Sequence, residues 1–244
     1  MLSVAAVMSL LAFCWPLLWH PGAGLSGDAH TPLVFALLLP VVIALVMTEL
    51  GNDDLDVKAL AMLGVLSAVG AAVRPLGAGT AGLEAIFLLI ILAGRVFGPG
   101  FGFILGNTTL LASALITSGM GPWLPFQMLA AGFVGLGAGL LPHLRGWWEI
   151  GLLAAYGVVS GFAYGWLMDL SFWPFTLGNA SELSFDPTAS VATNLHHFVL
   201  YNLATSMAWN AGRALSNVAL VILLGPSLLR ILRRSARRAA FDDA

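Results

Sequence analysis

Long apolar runs, separated by short stretches rich in glycine, proline or charge, repeat along the chain. Most of them approach the length of about 20 residues that a helix needs to cross the hydrocarbon core of a bilayer. The run at 83–97 is short for that purpose. Each run predicts a helix, and the predicted helices cover residues 3–20, 32–49, 57–74, 83–97, 101–118, 124–141, 149–170 and 204–229.

Composition supports a membrane assignment. Of the 244 residues, 59% are hydrophobic and 9% are charged, and the mean hydropathy is +0.92, beyond what soluble domains show. We therefore expect an all-α integral membrane protein. The single cysteine, Cys14, excludes an intrachain disulfide and a cysteine metal site, and the net charge of −2 does not indicate nucleic-acid binding.

The basic residues predict the orientation of the helices, because lysine and arginine collect on the cytoplasmic side. The first apolar run has no basic residue before it, so we expect a retained helix and not a secretory signal. With both termini cytoplasmic, only Arg74 and Arg213 lie outside or within a helix. The tail "RILRRSARR" is interpreted as a topology anchor, with contact to anionic lipid as the alternative. The residues predicted to be cytoplasmic are Lys58, Arg95, Arg145, Arg230, Arg233, Arg234, Arg237 and Arg238.

This orientation places three unusual segments on the outer face. They are the glycine-rich 74–82 loop, the turn "SGMGPWLPFQML" at 118–129, and an aromatic stretch at 171–203 that is too long for a simple connector. Trp123 and Gln127 are one helical turn apart. They suit the rim and wall of a ligand pocket, and the alternative is an interfacial anchor with a helix–helix hydrogen bond.

Charge at membrane depth is costly unless it is paired or used for function. Arg74 and Glu84 flank one short loop and suit an ion pair. Arg213 lies about 13 Å inward from residue 204 at 1.5 Å per residue, so it requires a carboxylate, carbonyl oxygens or an anionic ligand group.

Aromatic and amide side chains accompany these charges. Tyr201, Asn202, Trp209 and Asn210 surround the start of the last predicted helix and suit a pocket lining, with a membrane-interface belt as the alternative. His196 and His197 are adjacent in the predicted long loop and lack a metal-binding spacing. The predicted substrate-binding residues are Arg74, Glu84, Trp123, Gln127, Trp173, Tyr201, Asn202, Trp209, Asn210 and Arg213.

Small residues recur at helical spacing in the predicted helix 57–74, where they permit close approach of another helix. Their partner is either within this chain or on another protein. Two further pairs, Gly102 with Gly106 and Gly135 with Gly139, are interpreted as internal packing. The residues of the first stripe are Gly64, Ser67, Ala68, Ala71 and Ala72.

The stretches 72–142, "DLSFWPF" at 169–175 and "SMAWNAGRALSNVALVILLG" at 206–225 resemble the substrate-binding S components of energy-coupling factor vitamin importers. The resemblance implies a six-helix substrate-binding core at 51–232, preceded by two additional transmembrane helices at 1–50 and followed by a basic then acidic cytoplasmic tail at 233–244. It also implies a bacterial plasma membrane, a transmembrane coupling subunit that docks on the small-residue stripe of helix 57–74, and two cytoplasmic ATPase subunits.

The family's cargo is a vitamin or vitamin precursor captured on the outer side. The stretch "GPWLPFQM" resembles members associated with cobalamin or related compounds, and the start Met1-Leu2-Ser3-Val4 lacks the histidine of nickel and cobalt importers. No phosphate-binding loop motif is present, so we expect no ATPase activity in this chain, and no cofactor. A stand-alone secondary transporter is the alternative, although the expected inverted repeat and intramembrane carboxylate are not evident. An intramembrane hydrolase has little support, because no base stands beside a nucleophile.

Overall fold

A computed structural model describes residues 10, 12–18, 39–44, 46, 48, 57–77, 81–176 and 181–240. Every regular element in this part of the chain is helical, as predicted. The N-terminal portion contributes a helical turn at Trp15–Leu18, and a 3-10 turn at Arg74–Gly77 follows the first long helix. The helices from residue 57 onward are α1 (Val57–Val73), α2 (Ile86–Phe97), α3 (Pro99–Thr117), α4 (Leu124–Leu140), α5 (Trp147–Thr176), α6 (Val191–Thr205) and α7 (Met207–Ala240).

Among the described residues, four stretches are long and apolar enough to cross a membrane: α1 with its 3-10 turn, α3, α5 and α7. The apolar helices α2 and α4 are shorter, with 12 and 17 residues. Helix α2 is about 18 Å long at 1.5 Å per residue, short of a hydrocarbon core of about 30 Å. Most of its residues are buried, because the longer helices surround it. The protein is therefore a helical membrane protein with a short helix at its centre.

A single residue, Gly98, joins α2 to α3. Its φ of +97° lies in the region that favours glycine. Pro99 then starts α3, where a missing amide hydrogen has no cost. The connection between the helices predicted at 83–97 and 101–118 is thus shorter than expected, because this glycine–proline pair reverses the chain at once.

Glycines allow α2, α3 and α4 to pack backbone against backbone. A Cβ atom added to Gly94 or to Gly102 would collide with the carbonyl of Gly135. One added to Gly106 would collide with the backbone of Ala131. A Cβ atom added to Gly139 would collide with the backbone of Pro99, so the predicted internal packing of Gly102, Gly106, Gly135 and Gly139 is confirmed.

Helix α1 has one buried and one exposed face. The buried face packs on α3, where the Ser67 and Thr108 hydroxyls lie 2.7 Å apart. Ala71 is fully buried on this face. The other three members of the predicted stripe, Gly64, Ala68 and Ala72, lie on the exposed face. The stripe is therefore divided: two residues pack within the chain, and three remain accessible to a neighbour.

The segment 171–203 differs from the irregular stretch that the sequence predicted. Helix α5 continues to Thr176, and α6 begins after Ser190, whose hydroxyl accepts from the Thr193 amide as an N-cap. His196 and His197 therefore lie in a helix. This helix was not predicted because its sequence contains many polar residues, since only one of its faces is buried.

The described N-terminal residues pack on the main bundle. The Phe13 ring meets Phe126 of α4 edge-on, with centroids 5.2 Å apart. The Trp15 indole donates to the Ser171 carbonyl oxygen at 3.3 Å. Most of the two helices predicted at 3–20 and 32–49 lies outside the described residues.

Candidate functional site

Arg213, near the start of α7, has a buried guanidinium that three groups hold. Its Nη2 atom donates to Glu84 Oε1 at 3.1 Å. Its Nη1 atom donates to Asn210 Oδ1 at 3.1 Å and to the Gly161 carbonyl oxygen at 3.3 Å. The predicted requirement for a carboxylate or carbonyl partner is confirmed. The predicted pairing of Glu84 with Arg74 is wrong.

Close backbone packing determines which arginine Glu84 meets. A Cβ atom added to Gly82 would collide with the backbone of Trp209, and one added to Gly212 would collide with the Ala81 carbonyl oxygen. Gly82 also has a φ of +81°, a conformation that glycine adopts readily. The turn that carries Glu84 therefore lies directly against the first turns of α7, within reach of the arginine there.

The aromatic ring of Tyr164, in α5, lies against the Arg213 guanidinium. The Arg213 guanidinium carbon lies 4.9 Å from the centroid of its ring, a cation–π contact. Phe87 of α2 meets the same ring edge-on, with centroids 4.8 Å apart. A Cβ atom added to Gly165 would collide with the Asn210 side chain. The sequence did not identify Tyr164 as a site residue. The available signal was its neighbour Gly165, because a glycine leaves room for another helix to approach.

A second polar contact joins α5 to the junction of α6 and α7. Asn202 Nδ2 donates to Asp169 Oδ2 at 2.5 Å. Asn202 is fully buried and Tyr201 nearly so. Asp169 follows Gly165, which faces Asn210, by one helical turn, so the two polar contacts are neighbours along α5.

Arg74 lies at the edge of these contacts. Its Nη2 atom donates to Gln127 Oε1 at 3.1 Å and its Nη1 atom to Ser113 Oγ at 3.4 Å. A Cβ atom added to Gly77, in the same 3-10 turn as Arg74, would collide with the Leu83 carbonyl oxygen beside Glu84. We call the assembly the Arg213 cluster, and its members are Glu84, Tyr164, Asp169, Asn202, Asn210 and Arg213, with Arg74 and Gln127 at the edge.

Three buried polar atoms of the Arg213 cluster have no hydrogen-bond partner among the described residues. They are the donors Arg213 Nε and Asn210 Nδ2 and the acceptor Asn202 Oδ1. Buried polar groups are nearly always paired, and each unpaired one costs about 1–3 kcal/mol. The Arg213 cluster therefore contains two hydrogen-bond donors and one acceptor that could each bind a further polar group.

The three predicted tryptophans lie in different surroundings. Trp123, before α4, is 44% exposed, and Trp209, in α7, is 45% exposed. Trp173 is fully buried, and its indole donates to the Leu183 carbonyl oxygen at 2.6 Å. Its ring also meets Phe185, with centroids 5.4 Å apart. Trp173 therefore attaches the 181–190 segment to α5.

Hydrogen bonds also order the 181–190 segment. The hydroxyl and amide of Thr188 donate to Asp186 Oδ1 at 2.6 and 2.8 Å, and they hold the pKa of that carboxyl below its usual value. The Asn194 amide exchanges two hydrogen bonds with the Asp186 backbone. His197 Nδ1 lies 3.1 Å from the Ser184 carbonyl oxygen. The segment is a folded cap on α6.

Sequence reasoning missed an ionic group at the other end of the bundle. Glu149 Oε1 accepts from Arg95 Nε at 2.8 Å and from Arg233 Nη2 at 2.5 Å. The side chains of Arg95 and Glu149 are each 2% exposed. Arg95 Nη1 also donates to the Leu141 carbonyl oxygen at 2.9 Å. The starts or ends of α2, α5 and α7 are joined here.

Metal binding has no support in the described ranges, where no three histidine, cysteine, aspartate or glutamate side chains converge. Comparisons with protein-family models, with curated proteins and with solved structures find no match to this chain. The Arg213 cluster is therefore the principal guide to function.

Proposed function

We propose that this protein is the substrate-capturing membrane subunit of an ATP-driven importer of the energy-coupling factor type, and that it binds a vitamin or vitamin precursor at the Arg213 cluster. The observation that carries the proposal is the set of unpartnered buried donors and acceptor at one end of an apolar helical bundle. A polar solute that satisfies these atoms would recover their desolvation cost.

The orientation follows from charge. Lys58, Arg145 and the arginines of the α7 tail belong to the end opposite the Arg213 cluster, and basic residues favour the cytoplasmic side. The Arg213 cluster then lies at the outer end of the bundle, the side from which an importer takes its cargo. Both termini are cytoplasmic in this arrangement.

The chemistry of the unpartnered atoms indicates what part of the cargo they would contact. Arg213 Nε and Asn210 Nδ2 are donors and suit a carbonyl, carboxylate or phosphate oxygen. Asn202 Oδ1 is an acceptor and suits a hydroxyl or amide of the same solute. Cobalamin-related compounds, which the 118–129 stretch suggests by resemblance, carry amides and phosphate of this kind.

The coupling subunit would dock on the exposed face of α1. Gly64, Ala68 and Ala72 form a strip of small exposed residues there, and the larger exposed side chains Val65 and Val69 lie along one side of it. Small residues at this spacing let a helix of another protein approach closely. Two ATPase subunits would supply the energy through this contact, and the subunit would reorient to release its cargo.

The first experiment identifies the cargo. The protein is purified in detergent, and small molecules that remain bound are identified by mass spectrometry. Arg213→Lys, which keeps the charge but removes Nε and the planar fork, should lower affinity for the identified molecule by about 10- to 100-fold, as expected for a hydrogen bond to a charged donor. Arg230→Lys, the same change in the exposed part of α7, is the matched control and should bind normally. Equal affinities of the two variants would contradict the assignment of the site.

The second experiment tests the docking face. Ala68→Trp should abolish uptake in cells that contain the complete importer, yet leave binding by the purified protein unchanged. Leu223→Trp, a change of similar size at a residue of α7 that is 73% exposed, should leave both unaffected. Loss of binding in Ala68→Trp would assign the strip to folding and not to coupling.

A stand-alone secondary transporter is the alternative proposal. It is favoured by Asp169, a carboxylate within the candidate span Trp147–Pro174. Reconstituted protein without ATPases should show no uptake driven by a proton or sodium gradient if the importer proposal holds. Gradient-driven uptake that Asp169→Asn abolishes would support the alternative.

A further inference from the structure

Helix α7 continues beyond the length that a membrane requires. Its apolar part, from Met207 to Leu229, is about 34 Å long at 1.5 Å per residue, close to the hydrocarbon thickness of about 30 Å. After the buried Arg213, the next basic residue of the helix is Arg230. The arginines of the tail therefore begin where the polar region of a bilayer begins.

Packing holds this extension against the bundle. Leu229 and Leu232 are buried in the main hydrophobic core, and Arg233 pairs with Glu149. These contacts fix the side of the helix that faces the protein. The exposed part of the helix surface is consequently presented in a constant orientation.

Three exposed arginines share one flank of this part of the helix, at spacings of four and three residues: Arg230, Arg234 and Arg237. Arg230 hydrogen-bonds only its own helix, through the Pro226 carbonyl oxygen and the Ser227 hydroxyl. Within 57–77, 81–176 and 181–240, no carboxylate lies within ion-pair distance of any of the three. They are a set of cations without protein anions in the described part of the chain.

Two tryptophans lie at the same depth. Trp147 and Trp148, at the start of α5, are 75% and 81% exposed and immediately precede Glu149, the partner of Arg233. Exposed leucines, among them Leu223, precede this level along α7. Along this surface, apolar side chains are followed by tryptophan and then by arginine. A bilayer leaflet has a matching order, in which hydrocarbon is followed by the interface and then by the headgroups.

We propose that Arg230, Arg234 and Arg237, together with Trp147 and Trp148, form a binding surface for the headgroups of anionic phospholipids. Each guanidinium offers paired donors that match phosphate oxygens, and each indole can occupy the headgroup level above the acyl chains. The proposal is independent of the cargo bound at the Arg213 cluster. The ligand is a lipid and not free phosphate, because apolar, aromatic and cationic side chains follow one another along the surface. A free phosphate would need only the cationic side chains.

The test measures lipid preference in the full-length protein. Purified protein in a neutral detergent is titrated with short-chain phosphatidylglycerol and, separately, with short-chain phosphatidylcholine, and the lipids retained are counted by native mass spectrometry. The wild type should prefer phosphatidylglycerol. Changing Arg230, Arg234 and Arg237 together to Gln should reduce that preference by at least about tenfold, since each arginine near a membrane surface contributes about fivefold.

Two controls make the test decisive. The corresponding triple change to Lys keeps the charge and should retain most of the preference. Inorganic phosphate at the same concentration should not displace the lipid, because it has no acyl chains. An unchanged preference in the triple Gln variant would overturn the proposal, as would displacement by inorganic phosphate. Loss of a co-purifying protein subunit in that variant, with the lipid preference unchanged, would instead assign the surface to a protein partner.

Discussion

The buried ionic group of Arg95, Glu149 and Arg233 offers a sharp test of how this bundle is held together. Replacing Glu149 with Gln removes the only carboxylate that contacts Arg95 in the described structure, and Arg95 is 2% exposed. An uncompensated buried guanidinium destabilises a protein by about 3–5 kcal/mol. Replacing Arg233 with Gln should cost only about 1 kcal/mol or less, because that side chain is 44% exposed.

A double replacement distinguishes charge from packing. In Arg95→Met combined with Glu149→Leu both charges are absent, and the apolar side chains occupy a similar volume. The double variant should be close to wild type in stability, since an apolar replacement of a buried pair is often neutral. The single changes Arg95→Met and Glu149→Leu would then be strongly non-additive.

The assay is equilibrium unfolding in mixed micelles with increasing sodium dodecyl sulfate, followed by circular dichroism. The free energy of unfolding is compared among wild type, Glu149→Gln, Arg95→Met, Glu149→Leu and the Arg95→Met, Glu149→Leu double variant. The reasoning is refuted if Glu149→Gln costs less than about 1 kcal/mol, or if the double variant loses the sum of the two single losses.

Three further predictions concern the opposite end of the bundle. Gly212→Ala should abolish ligand binding and lower the unfolding temperature, because the added methyl group would collide with a carbonyl oxygen of the adjoining turn. Trp173→Phe should cost about 1 kcal/mol and speed proteolytic cleavage within 181–190, since the Leu183 carbonyl oxygen loses its donor. The lowered pKa of Asp186 predicts that its turn is stabilised above the usual aspartate pKa, and that this stabilisation is lost as pH falls through the lowered value. Amide exchange at Thr188, corrected for intrinsic rates, should accelerate over that range, and unchanged protection would contradict it.

Helix positions could be predicted well because lipid imposes a local requirement. A segment in the bilayer must satisfy its own backbone hydrogen bonds over a fixed apolar length, and that length can be read from the sequence. The runs predicted at 57–74 and 124–141 correspond to Val57–Val73 and Leu124–Leu140. Helix α6 was missed because its buried face combines Phe198 and Tyr201 with Asn194 and Asn202, so the sequence contains no apolar run there.

The pairing of polar residues could not be predicted in the same way. Arg74 and Glu84 are near in sequence, yet Glu84 pairs with Arg213, which is 129 residues away. Tyr164 also belongs to the Arg213 cluster, although the only indication in the neighbouring sequence is the small residue Gly165. Candidate residue types were visible in the sequence, whereas their partners were not.

The sequence by itself determined that the chain is a helical membrane protein, where most helices lie and which residues bear costly charge. These are consequences of local composition, because apolar length and helix formation depend on neighbours along the chain. Only the tertiary structure decided that α1 divides its small residues between a buried and an exposed face, and that Arg213 meets Glu84 above Tyr164. Those outcomes depend on glycine contacts between distant segments, which determine how closely the backbones approach and therefore which charges meet.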